Sequence, residues 1–472
     1  MKISRIMIAG TKSGCGKTSV SCGLLRLLQR QGKSPAAFKC GPDYIDPIYH
    51  REVLDVASRN LDSFFCTKEE LVRELIKGSA HADISVIEGV MGYYDGLGIT
   101  GKTSPSEIAA LTDTPVLLIV DGAGRGASVL AELSGFCSYR PEGRRIKGVL
   151  FNRMAPSVYA DIKDEVKKMG LLPLGCLPKD EALRFERRHL GLVLPVDGGR
   201  AEEKERFLAQ VDAVADALLR YADIEGICSL AGEASEIDVQ DQTEDPIIKD
   251  REENRPKKEG RKNVRIAIAE DEAFCFIYEA NKEALRREGC TLISFSPLKD
   301  KTLPVCDGVI LPGGYPELHA KQLSENTGML FSIREAAREG LPMIAECGGF
   351  LYLHRDLTDP DGNTFPLANV LDASCRYAGF QRQFGYVNME TKTDSVLGRK
   401  GSVCKGHEFH YYLSDRVQED ATCKKPTGKA WNGCVLTKTM YAGFVHLWLS
   451  GNGEMLRAFI SACAEYAEKR DV

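Results

Sequence analysis

The chain has 472 residues, of which 43% are hydrophobic and 27% charged, and its formal net charge is −5. That length exceeds one ordinary hydrophobic core and predicts two large domains. So mild a charge sets up no field that would draw in nucleic acid or an anionic membrane, so small-molecule chemistry is expected, with no nucleic acid and no membrane as partner. The opening MKISRIMIAGTKSG passes from one short apolar run into glycines, without the stretch a secretory signal or membrane span needs, which predicts a cytoplasmic protein. Sixteen cysteines are scattered without metal-type CxxC pairs, which argues against a disulfide or zinc framework. Cys22, Cys40, Cys137 and Cys290 are expected to be buried thiols.

From residue 3 to about 220, short apolar runs alternate with amphipathic stretches, the pattern of a parallel sheet flanked by helices. The predicted strands are RIMIAG, PAAFK, ISVIEG, VLLIVD, KGVLFN and LPLGCL. The first helix begins at Thr18 and stops at Gly32. Residues 225–262 are polar and densely charged and read as a solvated linker, giving an ATP-binding domain over 1–224 and a second domain over 263–472. The second domain opens with VRIAIAED and continues through strands at TLISFS, DGVILP and PMIAEC. A turn-rich section follows, then the apolar run YAGFVHLW and a helix over about 453–469.

The first strand leads into Gly10-Thr11-Lys12-Ser13-Gly14-Cys15-Gly16-Lys17-Thr18, a glycine-rich turn that closes at a helix start. Backbone N–H groups around Gly14 and Gly16 can hold phosphates there, Lys17 adds a positive charge, and Thr18 can place its hydroxyl on Mg²⁺. Thr11 stands where the usual spacing has its first glycine, so the loop is a variant. Lys12 is either a solvated loop lysine or one that reaches a partner's phosphates across a homodimer. Glu88 and Asp121 end strands, where open parallel sheets place ligands. Glu88 could bind Mg²⁺ or position a reacting group, and either residue could instead cap a turn. Asn152 could bond adenine or serve a turn. Asp43 and Tyr44 lie in the proline-stiffened loop Lys39–Pro47, which topology brings near the phosphate site.

In the second domain, PMIAECGGF puts Cys347 at a strand-to-helix turn that exposes sulfur and favours thiolate. Upstream, Gly313 and Gly314 of LPGGYP supply peptide N–H groups for an oxyanion hole, and His446 is the candidate base. Many class I amidotransferases carry a glutamate two residues after this histidine; here that residue is Trp448. Either a Cys–His dyad suffices or another group, with Glu408 as the candidate, orients the ring. His407 and His410 form an HxxH pair of weak metal-binding character.

Taken together, GTKSGCGKT, KCGPDYIDP, NLD at 60–62, VIEGVMGYYDG, LPGGYPE, AECGGFLYL and GHEFHY closely resemble the cobyrinate a,c-diamide synthases. The resemblance implies a P-loop NTPase-like, dethiobiotin synthetase-like α/β domain joined to a class I glutamine amidotransferase-like α/β domain. It also implies a ligase of cobalamin biosynthesis that amidates the a and c acetates of cobyrinate with ATP, Mg²⁺ and L-glutamine. An acyl phosphate would form in one domain and be attacked by ammonia released in the other. The same resemblance places Lys17 and Thr18 at ATP and Mg²⁺, Asp43 and Glu88 near the reacting carboxylate, and Cys347 with His446 at glutamine. The family usually has a small residue where Lys12 stands. Amidation of another tetrapyrrole, nickel sirohydrochlorin or hydrogenobyrinate, is the close alternative; a nucleotide-switched regulatory ATPase with a non-catalytic second half is the distant one. Arg376, Tyr377 and Arg382 are candidates for gripping the macrocycle, since a polycarboxylate needs cations.

Overall fold

The first apolar run is buried along its whole length as β1 (Arg5–Gly10), the central strand of a seven-stranded sheet. β2 (Pro35–Cys40), β3 (Ser58–Leu61), β4 (Ile84–Glu88), β5 (Val116–Asp121), β6 (Ile146–Asn152) and β7 (Leu172–Leu177) complete it. The order is β3-β2-β4-β1-β5-β6-β7, and every pairing is parallel. Helices cover the sheet, so its inner strands read as continuous apolar runs. The helix α1 (Lys17–Arg30) packs on the helix Ala201–Tyr221 so tightly that a Cβ on Gly23 would fall 2.5 Å from Val214. The computed structural model describes residues 1–185, 201–238, 263–380 and 383–470, and the chain divides into two compact units, Met1–Asp245 and Pro246–Val472.

Two features of the first unit depart from the sequence reading. The polar tetrapeptide SRNL forms β3 at the sheet edge, where it pairs with β2 alone. The charged linker expected from residue 225 begins later, because Ile224–Gly232 is a helix that buries Ile224, Ile227, Leu230 and Ala231 at helical spacing. Asp223 caps it by accepting from Gly226 N–H at 2.8 Å. The segment after it is also tied down. The buried Arg5 donates to Ser235 O at 2.9 Å, and Ile237 N–H donates to Met1 O at 2.9 Å. Most of the remaining expected linker, 239–262, lies outside the described residues.

The second unit is built on a six-stranded sheet that contains β8 (Arg265–Ala269), β9 (Thr291–Phe295), β10 (Gly308–Leu311) and β11 (Met343–Glu346). Alternation along these strands sorts the core into two layers. Ala267, Val309, Leu311, Met343 and Ala345 join one apolar cluster, while Ile266, Ile268, Ile310 and Ile344 join another. The turn-rich stretch resolves into β12 (His354–Thr358), β13 (Thr364–Pro366), β14 (Leu371–Tyr377), β15 (Gln383–Thr391), β16 (Val403–His410), β17 (Tyr412–Ser414), β18 (Ala421–Lys424), β19 (Ala430–Gly433) and β20 (Val435–Leu436). The run YAGFVHLW is two strands and not one: β21 (Met440–Gly443) pairs in parallel with β11, and β22 (Val445–Leu447) pairs antiparallel with β16. The chain therefore changes sheets at Phe444. The helix Gly453–Arg470 closes the unit over the second cluster through Met455, Leu456 and Phe459.

Candidate active sites

The carboxyl ends of the parallel strands gather the residues of the first site. β1 ends at Gly10, β2 at Cys40, β4 at Glu88, β5 at Asp121 and β6 at Asn152, the edge where such sheets bind ligands. Gly16 begins α1 with φ 105°, and a Cβ there would lie 2.1 Å from Asn152 Nδ2. Glycine is thus required twice over, by conformation and by space. Asn152 donates to Cys15 O at 2.8 Å and so braces the loop from below. Lys17 is buried and donates to Lys12 O at 3.1 Å and to Met91 O. Burial lowers its pKa.

Thr18 and Glu88 come together as the sequence reading required, with Thr18 Oγ1 donating to Glu88 Oε1 at 2.7 Å. Glu88 is the hub of a buried ionic cluster. Lys39 Nζ lies 2.8 Å from Glu88 Oε1, also pairs with Asp46, and stands 3.8 Å from Asp43. Burial opposes the lysine's charge, but Asp46, Glu88 and Asp43 outweigh it and hold its pKa well above the ordinary value. Burial and the neighbouring Asp46 push Glu88 up to about 7 and Asp43 up to about 6. His50 is pushed by burial down to about 4 and is neutral. Asn60 donates to Gly41 O at 2.9 Å and Asp43 O at 2.7 Å, which sets the path of the loop that carries Asp43 and Tyr44. Tyr44 is buried at the start of the helix Ile45–Glu52.

Asp121 serves a turn and an ion cluster at once. Its Oδ1 accepts from Ala123 N–H at 3.2 Å, while Lys12 pairs with it at 3.0 Å and Arg153 at 2.5 Å. Sequence reasoning missed Arg153, Lys39 and His50. The signal for Lys39 is a charge at the end of a strand that otherwise reads as fully buried.

In the second unit β11 ends in a sharp elbow, with Cys347 at φ 46° and ψ −98°. Such a conformation is rare outside glycine and marks functional turns. The small residues that follow let the elbow close: a Cβ on Gly349 would fall 2.0 Å from Leu311 O, and one on Gly348 would fall 3.0 Å from Gly314 N. Gly314 therefore brings one peptide N–H beside the nucleophile's turn. Gly313 admits the imidazole of His446, whose Cε1 would lie 2.3 Å from any Cβ at that position. The change of sheets at Phe444 delivers His446 to this place, since Cys347 N–H donates to Gly443 O at 2.7 Å just before the crossing.

The thiolate expected from a helix N-terminus is not the resting form. The following helix, Gly348–Tyr352, is a single short turn, and burial, with Glu317 and Glu408 adding to it, raises the thiol pKa against the help of Gly348 N–H. The S–H points to Phe409 O at 3.7 Å. His446 is pushed by burial down to about 3 and is neutral. Glu408 does not serve His446: it accepts from His410 Nε2 at 2.9 Å, and His410 stacks on Phe444 with centroids 3.7 Å apart. His407 and His410 do not converge, because three residues along β16 put them on opposite faces. Among the described residues no group of three or more His, Cys, Asp or Glu is placed to hold a metal ion. Arg376 on β14 pairs with Asp415 at 2.9 Å, Tyr377 beside it is half exposed, and Arg382 lies outside the described residues. All sixteen cysteines are free, and Cys137 is only partly buried where full burial was expected. No helix among the described residues is long and apolar enough to cross a membrane.

A phosphate-loop sheet in one unit and a cysteine elbow in the other define a nucleotide-binding domain joined to a glutamine amidotransferase domain. Residues 6–193 match the CobQ/CobB/MinD/ParA nucleotide binding domain, and residues 265–453 match the CobB/CobQ-like glutamine amidotransferase domain. The chain is 37% identical to the cobyrinate a,c-diamide synthase of Caldanaerobacter subterraneus subsp. tengcongensis, covering 98% of this chain and 99% of that one. It is 34% identical to the proteins of that name from Salmonella typhimurium, covering 97% of each chain, and Priestia megaterium, covering 100% of each. The chain belongs to the cobyrinate a,c-diamide synthase family.

Proposed function

We propose that the chain amidates the a and c acetate carboxylates of cobyrinate, with ATP as the activating substrate and L-glutamine as the nitrogen source. One observation carries this reading: relatives of that name match the chain from end to end, across both the phosphate loop and the cysteine elbow. The steps balance as a ligase reaction. A substrate carboxylate attacks the γ-phosphorus of ATP and ADP leaves, giving an acyl phosphate; ammonia then attacks the acyl carbon and phosphate leaves. In the second unit the thiolate of Cys347 attacks the glutamine amide carbon, ammonia departs with the proton that His446 took from sulfur, and water hydrolyses the thioester to glutamate.

Each role falls to residues with a matching environment. Lys17, with the N–H groups around Gly14 and Gly16, holds phosphates. The donors at Thr18 and Glu88 suit Mg²⁺, a hard cation that keeps few protein ligands and prefers oxygen, and Glu88 Oε2 is buried without a hydrogen-bond partner among the described residues. When bound, Mg²⁺ neutralises charge on the phosphate oxygens. Asp43, which shares Lys39 with Glu88, and its neighbour Tyr44 are assigned to the reacting carboxylate, and Asn152 to the nucleotide. Gly313 and Gly314 flank the developing oxyanion.

Assays with cobyrinate, hydrogenobyrinate and nickel sirohydrochlorin, scored by the mass of the diamide, test the substrate assignment. Diamide from cobyrinate is expected; turnover of the nickel compound alone would overturn it.

A further inference from the structure

The residue that orients His446 is absent from its usual position, where Trp448 instead packs edge-on against Tyr278 at 5.0 Å. A carboxylate reaches the imidazole from another direction. Glu346 is the last residue of β11, immediately before the nucleophile, and it is buried beside β22. Its Oε1 accepts from Leu447 N–H at 3.0 Å, and its Oε2 stands 3.9 Å from His446 Nδ1. The histidine's own neighbour in sequence thus fixes one carboxylate oxygen and turns the other towards the ring.

We infer that Glu346 is the positioning residue for His446, taking the place of the glutamate that usually follows the histidine. This rests on the reading of Cys347 and His446 as the glutaminase pair. With Glu346 at Nδ1, the nitrogen left for the thiol proton is Nε2. Burial pushes Glu346 up to about 8 and His446 down to about 3, so the resting ring is neutral, and Glu346 Oε2 facing Nδ1 keeps the ring's one proton on Nδ1 and leaves Nε2 bare. When Nε2 takes the proton from sulfur, the ring becomes an imidazolium whose Nδ1–H still faces Glu346 Oε2. The proton on Nε2 then leaves with ammonia, and no proton is gained or lost by the pair. Glu408 does not take this place, since it is committed to His410.

The test is Glu346→Gln in the full chain. Its amide can still accept from Leu447 N–H, but its NH₂ would donate to Nδ1 and force the ring proton onto Nε2, the tautomer that cannot take a thiol proton. Glutaminase kcat is expected to fall by about 10²-fold or more while the KM for glutamine moves less than about threefold. A kcat within about threefold of the parent, or a loss confined to KM, overturns the role. Should E346Q not fold, Glu346→Asp decides: a fall in kcat of about tenfold at unchanged KM supports the role, and a parent-like kcat overturns it. Cys347→Ala, measured alongside, separates the two readings. If it is inactive while E346Q is unimpaired, only the positioning role falls; if it still hydrolyses glutamine, the pair and its positioning residue fall together.

Discussion

Among the described residues Lys17 rests on two carbonyl oxygens and on no carboxylate, so an incoming triphosphate meets its charge without displacing a counter-anion. Lys17→Ala is therefore expected to abolish amide formation while glutaminase turnover persists, measured as product diamide against glutamate; unimpaired synthesis would refute the phosphate role. Lys39 is the opposite case, a buried lysine enclosed by Asp46, Glu88 and Asp43. Removing it leaves buried carboxylates without their cation, so Lys39→Met is expected to cost about 3 kcal/mol in urea unfolding of the first unit, partly relieved at acid pH as the carboxylates take up protons. A parent-like midpoint would show that the cluster contributes little to stability.

At the scale of elements, both candidate sites depend on turns that only small residues permit. Gly349→Ala would drive a methyl group into Leu311 O, a backbone atom that cannot swing away. Destabilisation of the second unit by about 1–3 kcal/mol is expected from urea unfolding, and an unchanged midpoint would mean that the elbow relaxes freely. The central strands were legible because burial on both faces leaves long apolar runs such as VLLIVD and PMIAEC. β3 was not, since SRNL is short, polar and needed at one edge only. The helix Ile224–Gly232 was hidden by the charged residues that follow it, although Ile224, Ile227 and Leu230 carry its period. The short strands of residues 354–436, most of them antiparallel, are interrupted by turns and half exposed, so no strong alternation marks them. YAGFVHLW looks like one strand because nothing in its hydropathy signals the change of sheet. Cys347, His446, Lys17 and Thr18 were legible from their context, whereas Glu346 was not, because its relation to His446 exists only once β22 lies beside β11.

Burial inside the two units keeps a set of thiols, among them Cys22, Cys404 and Cys463, protonated. Burial pushes Cys404, Cys423 and Cys290 up to about 12 and holds Cys22 and Cys463 well above the ordinary thiol range. A folded pKa raised above the unfolded value gives stability that is complete below about pH 8.5 and is lost as pH rises, because only the unfolded chain then releases protons. Each such thiol should cost about 1–2 kcal/mol by pH 10, so urea midpoints under reducing conditions are expected to fall steeply between pH 8 and pH 10. Equal midpoints at the two values would mean that these thiols titrate alike in the folded and unfolded chain.

The division of work between the two units is tested most directly by Cys347→Ala in a full reaction with cobyrinate and ATP, supplied with either glutamine or ammonium. Diamide formation is expected to disappear with glutamine and to persist with ammonium, because activation of the carboxylate and release of ammonia reside in different units. Undiminished glutamine-driven synthesis by that variant would contradict the account.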